Sequence, residues 1–351
     1  MNTQRLQRDA GFTLVELMIA MVLGLLVTGG VIGIFVSNQQ IYRQNENLAR
    51  LQENARYALE VMARDIREAG GVACGKNPPT ANVLNNADTA WWSTWGDGIR
   101  GYDGDNTTFP KTFGTNALDR VSGTDAIVIL SGTVNDGLYI KTHNPSSANF
   151  SVNTTSHGIS DDDILIMCDD ETAVIFQVTN ANSNNTTIVH NTGNSPPGNC
   201  TKALGCAPDK SSCGAGKDQF CPKTGSNDCF FGCDSSNEVS KPFNDGGFIS
   251  KFSSHAWYIG NNRLGGRSLY RIDQEKGTEG TDEIVDGVRD LQLQYLANDS
   301  DQYVDANSIT NWGDVTAVRL TFTFETLEQV GIEENSTIQR DWFTVVQIRN
   351  R

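Results

Sequence analysis

Residues 11–36 read GFTLVELMIAMVLGLLVTGGVIGIFV, and their reading decides what kind of protein this is. From Leu17 to Val36 the only polar side chain is Thr28, and 20 such residues make a helix of about 30 Å, the thickness of a bilayer's hydrocarbon layer. A polar leader, MNTQRLQRDAG, precedes the run and carries Arg5 and Arg8. Positive residues stay on the cytoplasmic side, so the sequence predicts one span with everything after Val36 exported. A cleaved secretory signal fits poorly, because the apolar run is too long and no small-x-small site follows it. A plain anchor leaves Glu16 unexplained, since an unpaired carboxylate inside such a stretch costs ~2.5–3.5 kcal/mol on insertion scales. A cut between Gly11 and Phe12 would supply a partner, because the new α-amino group of one copy can neutralise Glu16 of a neighbour.

Beyond Val36 the chain turns polar but keeps a helical period. Ile41, Leu48, Leu51, Ala55, Ala58, Met62, Ile66 and Ala69 fall on one face, while five basic and five acidic residues between 37 and 69 cancel on the other. Gly70-Gly71 marks the stop. The sequence thus predicts a helix from Phe12 to Ala69, about 85 Å at ~1.5 Å per residue. Gly24, Gly29, Gly30 and Gly33 weaken its apolar half and suit close helix packing in a bilayer.

Residues 70–351 read as strands between loops. The predicted strands are Ala126–Leu130, Leu138–Lys141, Ile164–Cys168, Ala173–Thr179, Thr186–His190, Phe248–Phe252, Ala256–Gly260, Ser268–Ile272, Arg289–Leu296, Val315–Phe324 and Phe343–Arg349. Alternation is clearest in 291–295 (LQLQY) and 318–324 (VRLTFTF), each with one face to bury. The fold class expected is α+β, a long N-terminal helix packed on an antiparallel sheet.

The whole chain carries 27 Lys+Arg against 42 Asp+Glu, a net charge of −15. All of this charge falls on residues 70–351, which hold 20 basic and 35 acidic residues. An acidic exported domain makes nucleic acid an unsuitable direct partner, since phosphate binding requires clustered cations.

Gly11-Phe12-Thr13-Leu14-Val15-Glu16 resembles the class III signal of type IV prepilins and pseudopilins. The resemblance implies cleavage after Gly11 by prepilin peptidase, N-methylation of Phe12, and a role for Glu16 in aligning an incoming subunit. Later stretches, 286–295 (DGVRDLQLQY), Trp312 with 315–320 (VTAVRL), 343–351 (FTVVQIRNR) and 123–130 (GTDAIVIL), resemble the PilW family of minor pilins. A pilin-like architecture follows: leader 1–11, membrane and filament-core half 12–36, amphipathic half 37–69 and a β-rich head 70–351. The implied function is a structural subunit that helps initiate type IV pilus assembly at or near the filament tip. Its implied partners are other minor pilins, the major pilin, prepilin peptidase and the inner-membrane assembly platform. It would be held in the inner membrane by a single pass with its head in the periplasm, then carried to an extracellular pilus. The alternatives are a J-type pseudopilin of type II secretion and a tip-located adhesive module.

Eight cysteines on the oxidising side of a membrane read as disulfides. Cys74 and Cys168 are expected to tie the helix exit to the sheet. Cys200, Cys206, Cys213, Cys221, Cys229 and Cys233 form a Cys-rich insert, 200–233, with 15 possible connectivities for three bridges. Zinc is the weaker alternative, because the insert lacks histidine and any C-x2-C pair. Asp97, Asp103, Asp105 and Asn106 sit in a Gly-rich loop that suggests either Ca²⁺ or a plain turn, without EF-hand order. Trp91, Trp92 and Trp95 suggest either a contact patch or a loop packed over the sheet. Gly214-Ala-Gly-Lys217 lacks the first glycine and the Ser/Thr of a phosphate loop. With no H-E-x-x-H or G-x-S-x-G, no enzyme, cofactor or metal is expected.

Overall fold

The computed structural model describes residues 13–73, 80–85, 87, 90–95, 98–169, 172–193, 196–202, 204, 242–243, 246–275, 278–298, 300–327 and 337–349. The chain divides into two compact units, residues 1–52 with 326–338, and residues 53–325 with 339–351. One helix, α1 (Leu14–Glu68), contributes to both. Its bounds fall within two residues of those the periodicity predicts.

In the first unit, residues 14–43 of α1 are exposed throughout, including Leu25, Leu26 and Phe35. An exposed surface this apolar is what a lipid or a bundle of like helices would cover. Thr28 Oγ donates to the carbonyl of Gly24 at 2.7 Å, so the one polar side chain of the span is satisfied by its own helix. A Cβ added at Gly24, Gly29, Gly30 or Gly33 would meet nothing within 4 Å. Among the described residues nothing packs against these glycines, and their open surface suits close contact with other helices.

In the second unit, α1 continues with Ala55, Ala58, Met62 and Ile66 at 0% exposure. Their spacing of three and four places all four on one buried stripe. Two polar contacts fix this stretch to the sheets: Trp257 Nε1 donates to Asp65 at 2.9 Å, and Asn54 Nδ2 to Asp286 Oδ1 at 2.9 Å. Gly70 takes φ +67° just past the helix end and donates to the carbonyl of Leu130.

The strands are β1 (Thr80–Asn82), β2 (Ile99–Tyr102), β3 (Ala126–Asn144), β4 (Asn149–Val152), β5 (Ile164–Cys168), β6 (Ala173–Gln177), β7 (Asn180–Ala181) and β8 (Thr187–Val189). They continue with β9 (Phe248–Asn261), β10 (Arg267–Glu275), β11 (Thr278–Asp286), β12 (Val288–Ala297), β13 (Val315–Glu325) and β14 (Gln339–Gln347). Eleven build one sheet in the order β1-β6-β5-β9-β3-β4-β8-β7, with β10 and β11 continuing from β9 and β2 beside β3; the other three form a second sheet, β12-β13-β14. Pairing is antiparallel except between β1 and β6.

The predicted strands all find a counterpart, but the two pairs around 126–141 and 248–260 merge into the long strands β3 and β9. β9 is central. One edge runs along β3, while the other is shared, by β5 up to Lys251 and by β10 from His255. The sheet therefore forks at Phe252–Ser254, and a cavity of about 820 Å³ opens there beside Lys251, His255, Arg271 and Asp273.

Candidate functional site

At the head of α1, Thr13 and Glu16 form a local cap. The Glu16 N–H donates to Thr13 Oγ at 3.3 Å, and Thr13 Oγ lies 3.5 Å from Glu16 Oε2. Thr13-Leu-Val-Glu16 thus has the spacing of a capping box, which the sequence reading passed over. The carboxylate sits in the first turn of α1, where unpaired N–H groups and the helix dipole favour negative charge. Gly11 and Phe12 lie outside the described residues.

Of the cysteines, Cys168 at the end of β5 and Cys200 are described, and both are disulfide-bonded. Neither has a thiolate to offer a metal. Cys74, Cys206, Cys213, Cys221, Cys229 and Cys233 lie outside the described residues, as do Asp97, Gly214, Gly216 and Lys217.

The acidic loop resolves in an instructive way. Arg120, fully buried, inserts its guanidinium where the loop's oxygens converge: Nη2 donates to the carbonyls of Tyr102, Asp103 and Thr124, and Nη1 to that of Asn106. The rings of Phe109 and Phe113 lie 5.1 and 4.8 Å from its carbon centre. Burial pulls the Arg120 pKa down to about 10, still well above neutrality, with Asp125, Asp103 and Asp105 opposing the shift. Asp103 is used differently, its two oxygens accepting the N–H groups of Ala306 and Asn307. A tethered cation thus takes the main-chain carbonyls of Asp103 and Asn106, and a turn cap takes the Asp103 carboxylate.

Asp125 joins the two sheets. It precedes β3, its N–H donates to the carbonyl of Leu291 at 2.9 Å, and its Oδ2 accepts the N–H of Leu293 at 2.7 Å, both on β12. Burial pushes its pKa up to about 7, against the Leu293 hydrogen bond that favours the ionised form. Beside it Tyr295 is fully buried against β2, where a Cβ on Gly101 would meet its hydroxyl at 2.1 Å. Gly101 is therefore what lets β12 approach.

The tryptophans pack rather than project. Trp91 Nε1 donates to Glu279 at 2.7 Å, Trp92 is 6% exposed, and Trp95 lies 6.3 Å from Phe252.

At the fork, Ser253 Oγ is 2.8 Å from His255 Nε2, and His255 Nδ1 is 2.5 Å from Asp273 Oδ1. Arg271 grips the other oxygen of Asp273 through Nε and Nη2 at 3.0 and 2.8 Å, and its guanidinium lies 5.6 Å from the Trp257 ring. These contacts hold Asp273 below the usual carboxylate range despite desolvation, which is the largest single effect and acts upward. This chain of groups escaped the sequence reading. Ser253 and His255 share a strand face by alternation, but Asp273 joins them only through the β9–β10 register.

Comparison with known families returns two matches. Residues 6–32 match the prokaryotic N-terminal methylation motif, and residues 256–348 match Type IV Pilus-assembly protein W. The first brackets the Thr13–Glu16 cap, and the second runs from the middle of β9 to just past β14. Comparison with curated proteins and with solved structures returns no match. An N-terminal apolar helix with a methylation motif, attached to a β-sheet head, defines a type IV pilin-class protein. Together the two matches support a PilW-like type IV minor pilin.

Proposed function

We propose that this chain is a membrane-stored precursor that becomes a structural subunit helping to initiate type IV pilus assembly, at or near the filament tip. The observation that carries the reading is the pairing of a prepilin motif at one end with a PilW match at the other. In this reading the leader 1–11 is cut between Gly11 and Phe12, Phe12 is methylated, and the single span 12–36 holds the head in the periplasm until extraction. Residues 37–69 form the amphipathic half of the helix and 70–351 the exported head.

Glu16 is the assembly residue. Its N–H is capped by Thr13 and its side chain stands in the first turn of α1, where it can meet the methylated amine of a neighbouring subunit. Methylation leaves that amine cationic near neutral pH, so the attraction survives maturation. Partners are the other minor pilins, the major pilin, the peptidase and the assembly platform. Cys74–Cys168 ties the helix exit to the sheet, and the insert 200–233 is held by bridges among its remaining cysteines. No catalytic role is assigned.

Glu16→Ala tests the reading. Cleavage and methylation, measured by the mass of the mature N-terminus, should persist while incorporation into filaments falls by an order of magnitude or more. Normal incorporation would refute the ion-pair role, and an uncut chain would remove the reading altogether.

A further inference from the structure

Three features of the second unit meet along β11. This strand, TEGTDEIVD, pairs with β10 alone among the described strands, so along its outer edge alternate residues turn N–H and C=O groups away from the sheet. Between that edge and α1 runs a groove of about 640 Å³. Its walls include Glu53, Tyr57 and Glu60 from α1, and Ile284 and Asp286 from β11. Asn54 closes one end by donating to both the side chain and the carbonyl of Asp286.

We propose that this groove docks the edge strand of a neighbouring pilin-class subunit, other than a second copy of this chain, and that the strand carries Lys or Arg at alternate positions. The proposal rests on the pilin reading above and adds the site and the chemistry of the contact. A strand entering the groove would continue the sheet beyond β11, trading exposed backbone groups for a ladder. Tyr57, 53% exposed, and the partly buried Ile284 offer apolar contact to one face of such a strand. Glu53, Glu60 and Glu283 are all exposed and set the sign of what fits. Among the described residues Arg56 is the only cation lining the groove, against four carboxylates there.

A second copy fits less well. Each head carries a net −15, and β14, another edge among the described strands, presents Phe343 and Val345 outward between Asp341 and Gln347, with no Lys or Arg at these alternate positions. Like charge on both sides disfavours that pairing.

The test uses the full chain in cells that assemble filaments. A photo-crosslinking phenylalanine is placed at Tyr57 and, separately, at Ile284, with a third at Phe343 as a comparison. Expected is a cross-link from both groove positions to one and the same pilin-class subunit, mapped by mass spectrometry to a Lys- or Arg-bearing strand. Combining Glu53→Arg with Glu60→Arg should cut that yield at least tenfold and leave the Phe343 yield unchanged. Cross-links to a helix, to a second copy of this chain, or to nothing in either position would overturn the proposal, as would indifference to the charge reversal. The mass of the mature N-terminus in the same sample reports on the pilin reading separately.

Discussion

His143 Nε2 lies 3.2 Å from His190 Nε2, inside a nest of rings formed by Phe150, Phe176 and Phe243. His143 Nδ1 accepts the N–H of Phe243 at 3.0 Å, so its proton sits on Nε2 and is donated to His190. His190 therefore carries its own proton on Nδ1. Protonating His190 on Nε2 would set its N–H against that of His143, and protonating His143 on Nδ1 would set it against the N–H of Phe243, so both arrangements favour the neutral rings.

Burial drives these two bases down from 6.5, to about 4 for His143 and about 3 for His190. Unfolding therefore takes up protons below pH 6.5, and stability that is complete above that pH is lost as pH falls toward 4. Thermal melts of the full chain in detergent should show the midpoint dropping through this window. His190→Phe removes one of the two titrations, so it should shallow the decline, at a cost of about 1–3 kcal/mol at neutral pH from the orphaned His143 donor.

Asp125 pulls the other way. Its folded pKa of about 7 lies above the ordinary 3.8, so its contribution is greatest at low pH and disappears as pH rises through 7. Asp125→Asn keeps an acceptor for the Leu293 N–H but cannot titrate. The variant should lose this compensation, so its stability falls more steeply than wild type between pH 7 and 4. Parallel curves would show that Asp125 titrates normally.

Arg120→Ala should cost about 3–5 kcal/mol, because four carbonyls and the two aromatic faces lose their cation together. Arg120→Lys should recover only part, having a single point charge for a planar fork. Added Ca²⁺ should not raise the melting temperature of wild type. A Ca²⁺-dependent rise of several degrees would show that the loop binds the ion after all.

Ser253, His255 and Asp273 have the order of a catalytic relay, but the grip of Arg271 on Asp273, with the guanidinium over Trp257, fits a tie between β9 and β10. Ser253 should resist a fluorophosphonate probe, and Ser253→Ala should change stability by less than about 1 kcal/mol. Asp273→Ala should cost more, since it frees His255 and Arg271 at once. Stoichiometric labelling of Ser253 would overturn the assignment of no catalytic role.

How far the sequence revealed all this depended on how local each signal was. α1 was legible because its apolar run, its period and its glycine stop are each written in residues close together in sequence, while its Thr-x-x-Glu start went unread. Strands such as β5, β12 and β13 announced themselves by apolar content or alternation. β11 did not, because an edge strand with four acids and one buried residue has almost no apolar face to alternate. β4 and β2 are four residues each, too short for a period to show. The Arg120 clamp, the His143–His190 pair and the fork at β9 bring together residues from separate elements, and only the strand registers put them in reach. Asp103, Asp105 and Asn106 were singled out from the sequence, while Arg120, the side chain that holds the carbonyls of Asp103 and Asn106, was not among them.

A calcium clamp is a bimolecular arrangement, filled only to the extent that the surrounding ion concentration exceeds its dissociation constant. Arg120 is covalently attached to the loop it fills, so its local concentration is set by chain geometry and does not fall on dilution. Chelators have nothing to extract from it. The junction between β2, the 102–106 loop and the start of β3 is therefore complete as soon as the chain folds, whatever the mineral content of the surrounding medium.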